Sequence, residues 1–149
     1  MKTAIYGAGS LGTVLGAYLS KAGVDVDLIT RNKEHVDAMN KGGAKIIGTV
    51  NMTVPVHALT PDQMTEKYEL IILLTKQLDN ENILRNLEKN MTDDCIVCTL
   101  QNGLPELSVS KVVGEDRTMG CTVAWGATLH GKGVSELTSE PDSMSFGLG

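Results

Sequence analysis

Lys2-Thr3-Ala4-Ile5-Tyr6-Gly7-Ala8-Gly9-Ser10-Leu11-Gly12 opens the chain, and its reading decides the fold. Lys2 to Tyr6 is predicted as a short strand and Gly7 to Gly9 as a turn. Ser10 to Ala22 is predicted as a helix, with Leu11, Val14, Leu15, Tyr18 and Leu19 at helical spacing. Gly7 to Gly12 fits G-x-G-x-x-G. Alone that pattern is weak, because glycine is common; between a strand and a helix it is specific. Gly7 permits the tight turn, Gly9 lets a diphosphate approach bare backbone, and Gly12 lets the helix pack closely on the strand. Gly16 and Ala17 extend that smooth face by a turn. The helix N-terminus then offers free N–H groups and a partial positive charge to an anion. Gly7, Ala8, Gly9, Ser10, Leu11 and Gly12 are therefore the expected contacts of a dinucleotide.

Downstream, strand alternates with helix. Gly23 closes the first helix, Val24 to Thr30 reads as a strand, and Lys33 to Asn40 as a helix stopped at Gly42-Gly43. Ala44 to Ile47 and Thr53 to Ala58 are short strand candidates around a turn near Asn51, and Pro55 suggests an exposed edge. Thr60-Pro61-Asp62 reads as an N-cap with proline at the first helical position, opening one or two turns. Leu70 to Leu74 is apolar without alternation, the mark of a strand covered on both faces. Asp79 to Lys89 is predicted as an amphipathic helix, Cys95 to Leu100 as a second buried strand, and Pro105 to Val113 as a helix ended by Gly114. This alternation predicts an α/β fold with a doubly wound, mostly parallel sheet. Beyond it, Met119 to Leu129, Val134 to Leu137 and Met144 to Leu148 read as extra extended segments, with a turn at Gly131-Lys132-Gly133.

Composition narrows the function. The 149 residues carry 18 Asp plus Glu against 13 Lys plus Arg, a net charge of −5 with no basic block, which argues against nucleic acid or an anionic membrane as partner. Leu70 to Leu74 is the longest uninterrupted apolar run, far short of the roughly 18 residues of a membrane span. Its regularly placed glycines make the segment Lys2 to Ser20 a poor secretory leader. The three cysteines include Cys95 and Cys98, which lie inside a predicted strand. Three strand steps span about 10 Å and put the two thiols on opposite faces, so buried free thiols and a reducing, cytoplasmic setting are expected. His35, His57 and His130 are scattered and are expected to be surface or structural residues, with no metal cluster.

The end of the second strand bears on the choice of cofactor. A site for NAD usually carries Asp or Glu there, to accept from the ribose 2′-hydroxyl. This chain has Thr30, then Arg31, with Lys33 close by, while Asp25 and Asp27 come too early in the strand. A guanidinium suits a 2′-phosphate, which favours NADP(H). Two further strand ends should open onto the same crevice: Thr75-Lys76-Gln77 and Gln101-Asn102-Gly103. The Lys76 ammonium can reach cofactor or substrate oxygens, and Asn102 can donate and accept at once.

Taken together these residues resemble the ketopantoate reductases (2-dehydropantoate 2-reductases). The resemblance rests on Gly7 to Gly12, Arg31, Thr75-Lys76, Gln101-Asn102-Gly103-Leu104, Met119-Gly120-Cys121-Thr122 followed by Gly126-Ala127, Gly131 to Gly133, Phe146-Gly147 and the Gly43-to-Val56 hairpin. It implies a Rossmann-type NADP-binding domain over residues 1–149, and NADPH-dependent reduction of 2-dehydropantoate to pantoate on the way to pantothenate and coenzyme A. By the same resemblance Lys76 would contact the cofactor, Asn102 both cofactor and substrate, and the segment around Gly126 the nicotinamide end. The family's proton-donating lysine and its partner glutamate belong to a carboxyl-terminal helical domain, expected beyond Gly149. No catalytic residue is therefore expected within this chain, which alone should bind NADPH but turn over little 2-keto acid. Two other readings stay open: the cofactor domain of another 2-keto-acid, opine or 6-phosphogluconate-type dehydrogenase, and a non-catalytic nucleotide-sensing module.

Overall fold

The computed structural model describes residues 1–75, 80–101, 105–143 and 146–148. In chain order the elements are β1 (Thr3–Tyr6), α1 (Ser10–Lys21), β2 (Val26–Ile29), α2 (Lys33–Gly42), β3 (Ala44–Gly48), β4 (Met52–Val54), β5 (His57–Leu59), β6 (Tyr68–Leu73), α3 (Asn80–Leu87), β7 (Met91–Thr99), α4 (Glu106–Val113), β8 (Thr118–Val123), β9 (Ala127–Gly131), β10 (Val134–Leu137) and β11 (Phe146–Leu148). The main sheet runs β11-β8-β7-β6-β1-β2-β5. Every pair is parallel except β11 on β8. The predicted starts at Asp79 and Met144 lie outside the described residues.

Strand β1 sits where the winding reverses: the chain builds outward through β2 on one side, then crosses back to β6 on the other. Tyr6 is level with Ile29 of β2 and with Leu73 of β6, so three carboxyl ends open at one height. Such a switch point leaves a crevice that no crossover fills.

On one face of the sheet, α3 and α4 bury Ile83, Leu84, Leu87, Val109 and Val113 against Tyr6, Ile71, Leu73 and Val97. The opposite face carries α1 and α2, with Val14, Ala17, Val36 and Met39 against Ile5, Leu28, Ile72 and Cys98. A second sheet, β4-β3-β10-β9, contributes Ala44, Ile46, Val54 and Leu137 to that same core, so α1 lies between two sheets. This explains why α1 is apolar nearly all round, as a helix buried on both sides must be. A side chain on Gly16 would come within 2.6 Å of Leu28, so only glycine permits this approach of α1 to β2.

Two expectations change. The predicted strand Thr53 to Ala58 is two strands in two sheets: β4 pairs antiparallel with β3, and β5 parallel with β2. Pro55 falls between them, where a residue without an N–H cannot continue a ladder. The extended run Met119 to Leu129 likewise divides, β8 joining the main sheet and β9 the smaller one. Thr60-Pro61-Asp62 opens only a single 3-10 turn, Pro61–Gln63, closed by the Thr60 N–H donating to Gln63 Oε1 at 2.9 Å.

Cys95 and Cys98 lie in the opposite layers expected of them. All three thiols are free, and burial pushes those of Cys95 and Cys98 up to about 11. The histidines have defined partners: His57 Nδ1 meets Asp27 at 2.7 Å, His130 Nε2 meets Glu136 at 2.7 Å, and His35 is fully buried.

Candidate functional site

The glycine turn lies at the mouth of the crevice and is tied down from behind. Gly7 and Ala8 both donate their N–H groups to the Ile29 carbonyl, at 2.9 and 2.8 Å, which fastens the turn to the end of β2. Gly7 has φ +106°, and a side chain there would meet the backbone of Leu74 and Thr75 at 2.8–2.9 Å. Gly12 faces the Gly7 carbonyl at 2.8 Å and Ile5 at 3.2 Å by the same measure. Gly9 differs, because a Cβ there would meet nothing within 4 Å. One glycine serves conformation, one packing, and one leaves open space before the helix.

The first helical bond of α1 runs from Thr13 N–H to the Gly9 carbonyl, at 3.0 Å. The N–H groups of Ser10, Leu11 and Gly12 precede it and have no helical carbonyl behind them. Gly9 supplies no side-chain cap, and the first turn holds no acidic residue. The partial positive charge of this helix end thus faces the open space beside Gly9 without an internal counter-charge.

A cavity of about 310 Å³ adjoins the turn, between the ends of β1, β2 and β6, with Pro61 and Ile83 among its walls. Arg31 stands at its rim. Burial holds the Tyr6 phenol above the ordinary tyrosine value, while the Arg31 guanidinium, hydrogen-bonded to it, pulls the other way. Arg31 also shares a recess of about 420 Å³ with Lys33, Thr60, Asp62 and Gln63. The sequence reading did not place Asp62 there. Hydrogen bonds from the Thr60 hydroxyl and its own N–H, with the charge of Lys33, hold the Asp62 carboxyl below its ordinary value.

Lys76 and Asn102 lie outside the described residues, but their flanks are held by a network the sequence reading missed. Gln101 Nε2 donates to the Thr75 carbonyl and, at 2.8 Å, to Asn80 Oδ1. Asn80 Nδ2 donates back to Gln101 Oε1 at 2.9 Å and to Ser108 Oγ at 3.0 Å. Thr99 Oγ1 donates to Gln101 Oε1 at 2.9 Å. The ends of β6 and β7 and the helices α3 and α4 are thereby tied through one reciprocal amide pair, and Asn80 is buried. A satisfied buried network of this kind fixes the geometry of what it holds. The sole hint in the sequence was Gln101 standing next to Asn102.

Gly126 lies between β8 and β9. Its N–H donates to Ser139 Oγ at 2.9 Å, and its carbonyl accepts from Thr138 N–H at 3.0 Å. Among the described residues no group of three or more His, Cys, Asp or Glu side chains is placed to hold a metal ion, and no helix is long and apolar enough to cross a membrane.

The sequence profile described as ketopantoate reductase PanE/ApbA matches residues 3–149. The chain belongs to the ketopantoate reductase family. A relative named 2-dehydropantoate 2-reductase, from Pyrococcus horikoshii, is 37% identical over 137 residues, which cover 91% of this chain and 44% of the relative. The chain thus spans less than half the length of the curated ketopantoate reductases it matches. Among solved structures, a PanE/ApbA family ketopantoate reductase from Ralstonia eutropha superimposes with a TM-score of 0.84 at 25% identity, over 93% of this chain and 47% of that one. A D-mandelate dehydrogenase solved with NADH and anilino(oxo)acetate gives a TM-score of 0.84 at 27% identity, over 99% of this chain and 47% of that one. The same half of the molecule thus recurs beside more than one substrate name.

Proposed function

We propose that residues 1–149 form the NADP(H)-binding domain of a 2-dehydropantoate 2-reductase-like oxidoreductase, working in the cytoplasm on a small 2-keto acid. On this reading the proton-donating lysine and its partner glutamate belong to a helical domain outside these residues. The observation that carries the cofactor choice is the end of β2, where Thr30 and Arg31 stand at the cavity rim and the carboxylate of that strand, Asp27, is engaged elsewhere. A guanidinium at that rim gives planar donors and a permanent charge to a 2′-phosphate.

NADPH, when bound, supplies the hydride that the carbonyl carbon of the 2-keto acid receives. The residues of this chain bind and orient. The first-turn amides from Ser10 to Gly12 hold the diphosphate, the turn of Gly7, Ala8 and Gly9 lets it approach the backbone, and Arg31 holds the 2′-phosphate. Lys76 reaches cofactor and substrate oxygens, Asn102 bridges the two, and Gly126 borders the nicotinamide end. Neither nucleic acid nor a membrane is a partner on this reading. The net charge of −5 and the three free thiols fit that setting.

A second reading is an NADH-using dehydrogenase of another 2-keto acid. It is favoured by one observation, the Asp62 carboxylate sharing the Arg31 recess, where it would repel a second phosphate. Titrating the chain and Arg31→Ala with NADPH and NADH separates the two. Arg31→Ala is expected to weaken NADPH by about 1.5–3 kcal/mol, roughly ten- to a hundredfold, and NADH little. An equal loss for both coenzymes overturns the assignment.

A further inference from the structure

We propose that His35 is a positioning residue for the diphosphate-binding turn, linking the β9–β10 hairpin to Ala8 through Thr13; the assignment of the turn to diphosphate rests on the cofactor reading above. His35 is fully buried in the first turn of α2, placed there by the Asn32 cap, whose Oδ1 accepts from His35 N–H at 3.1 Å. Its Nδ1 accepts the Gly133 N–H, at 2.8 Å, from the hairpin tip. In a neutral imidazole an accepting Nδ1 leaves the proton on Nε2. Nε2 lies 2.9 Å from Thr13 Oγ1, so Nε2–H donates to that oxygen. The Thr13 hydroxyl then donates to the Ala8 carbonyl, at 3.4 Å. The direction of the path runs from hairpin to turn, and the His35 ring also faces the Ala8 backbone directly.

The position of the path gives it meaning. Thr13, like His35, is fully buried. The Ala8 carbonyl belongs to the same planar peptide as the Gly9 N–H. Holding that carbonyl fixes the plane from which the amides of Ser10, Leu11 and Gly12 follow. A second tie comes from the same hairpin arm: Ser135 Oγ, buried in β10, donates to the Ser10 carbonyl at 2.8 Å. The smaller sheet therefore braces the anion-binding end of α1 at two carbonyls, Ala8 and Ser10. Burial holds the pKa of the His35 ring below its ordinary value, against an upward pull from the Ala8 backbone, which favours the neutral form the path requires. An apolar side chain of equal volume would fill the space but leave the Gly133 N–H and the Thr13 hydroxyl without this partner.

Two substitutions divide the two ends of the imidazole. In His35→Asn the carboxamide oxygen reaches about as far as Nδ1, so the acceptor for Gly133 is kept and the donor to Thr13 is lost. In His35→Gln the amide nitrogen reaches about as far as Nε2, so the reverse holds. The readouts are the melting temperature, the amide hydrogen exchange of residues 8–12 without ligand, and the NADPH dissociation constant. Both variants are expected to lose similar stability. His35→Asn alone should speed exchange at the glycine turn and weaken NADPH about tenfold, the worth of one buried hydrogen bond, while His35→Gln stays within about twofold. Thr13→Val should reproduce His35→Asn, and Thr13→Ser should restore the parent behaviour, which keeps the claim testable if an imidazole variant fails to fold. Equal loss of affinity in His35→Asn and His35→Gln, tracking their melting temperatures, overturns the proposal, as does unchanged exchange at the turn in His35→Asn and Thr13→Val. If the parent chain binds neither NADPH nor NADH the cofactor reading fails, while the exchange measurement still decides the role of His35.

Discussion

The two ends of the main sheet treat charge in opposite ways. At the amino ends of the strands, Asp27 is nearly fully buried and accepts from the Tyr68 hydroxyl at 2.6 Å and from His57 Nδ1 at 2.7 Å, with Lys2 Nζ at 3.3 Å. Lys2 also pairs with Asp25 at 3.0 Å and lies 6.0 Å from the centre of the Tyr68 ring. At the carboxyl ends the Arg31 guanidinium stands at the rim of a cavity, and the first turn of α1 has neither a side-chain cap nor an acidic residue. One end closes its polar groups upon themselves and serves stability. The other leaves them uncapped, and under the proposed function that is where an anion would bind.

That contrast can be broken by substitution. Asp27→Ala should have the largest effect, a loss of about 3–5 kcal/mol of stability, because it strips the buried partner from a phenol and an ammonium. It should leave the NADPH dissociation constant unchanged within about twofold, about a quarter of what one hydrogen bond is worth. A melting curve and a fluorescence titration read both, and a joint collapse would merge the two ends into one unit. Arg31→Ala should do the reverse, with cofactor affinity falling while the melting temperature holds.

The pH dependence sharpens the same point. Burial alone would raise the Asp27 carboxyl, but the hydrogen bonds from Tyr68 and His57 and the charge of Lys2 outweigh it and leave it below the ordinary value. A depressed folded value means that its contribution is complete above the unfolded carboxyl value, about 4, and is lost as pH falls through the folded one. Unfolding measured in acid should show that limb, and Asp27→Asn should flatten it. The smallest effect should come from Asp62→Asn, which removes an exposed carboxylate from the Arg31 recess: NADPH should tighten about two- to threefold, NADH hardly at all, and added salt should erase the difference.

How much of this was legible in the sequence follows from the range of each interaction. Gly7, Gly12 and Gly16 announced themselves because backbone meets backbone or a core side chain there, and only one residue type fits. The strands around Ile71 and Val97 were legible from their unbroken apolar runs. The division of residues 53–58 between two sheets was not: Pro55 marks a break in a ladder, but nothing local says that the chain changes partners. Nor were the polar networks. His35 finds Thr13 and Gly133, 22 and 98 residues away, and Gln101 finds Asn80 at 21, separations at which side-chain identity carries no pairing signal. His35 fits the expectation of a surface or structural histidine, but its partners are not legible from the sequence.

Helix α1 is gripped by a sheet on either flank, with Leu28 pressed against Gly16 and β10 against its opening turn. Packing on both flanks fixes its orientation. On the proposed function, a diphosphate would meet donors that have already given up their freedom, so the entropy that association ordinarily sacrifices to ordering would be small at this surface.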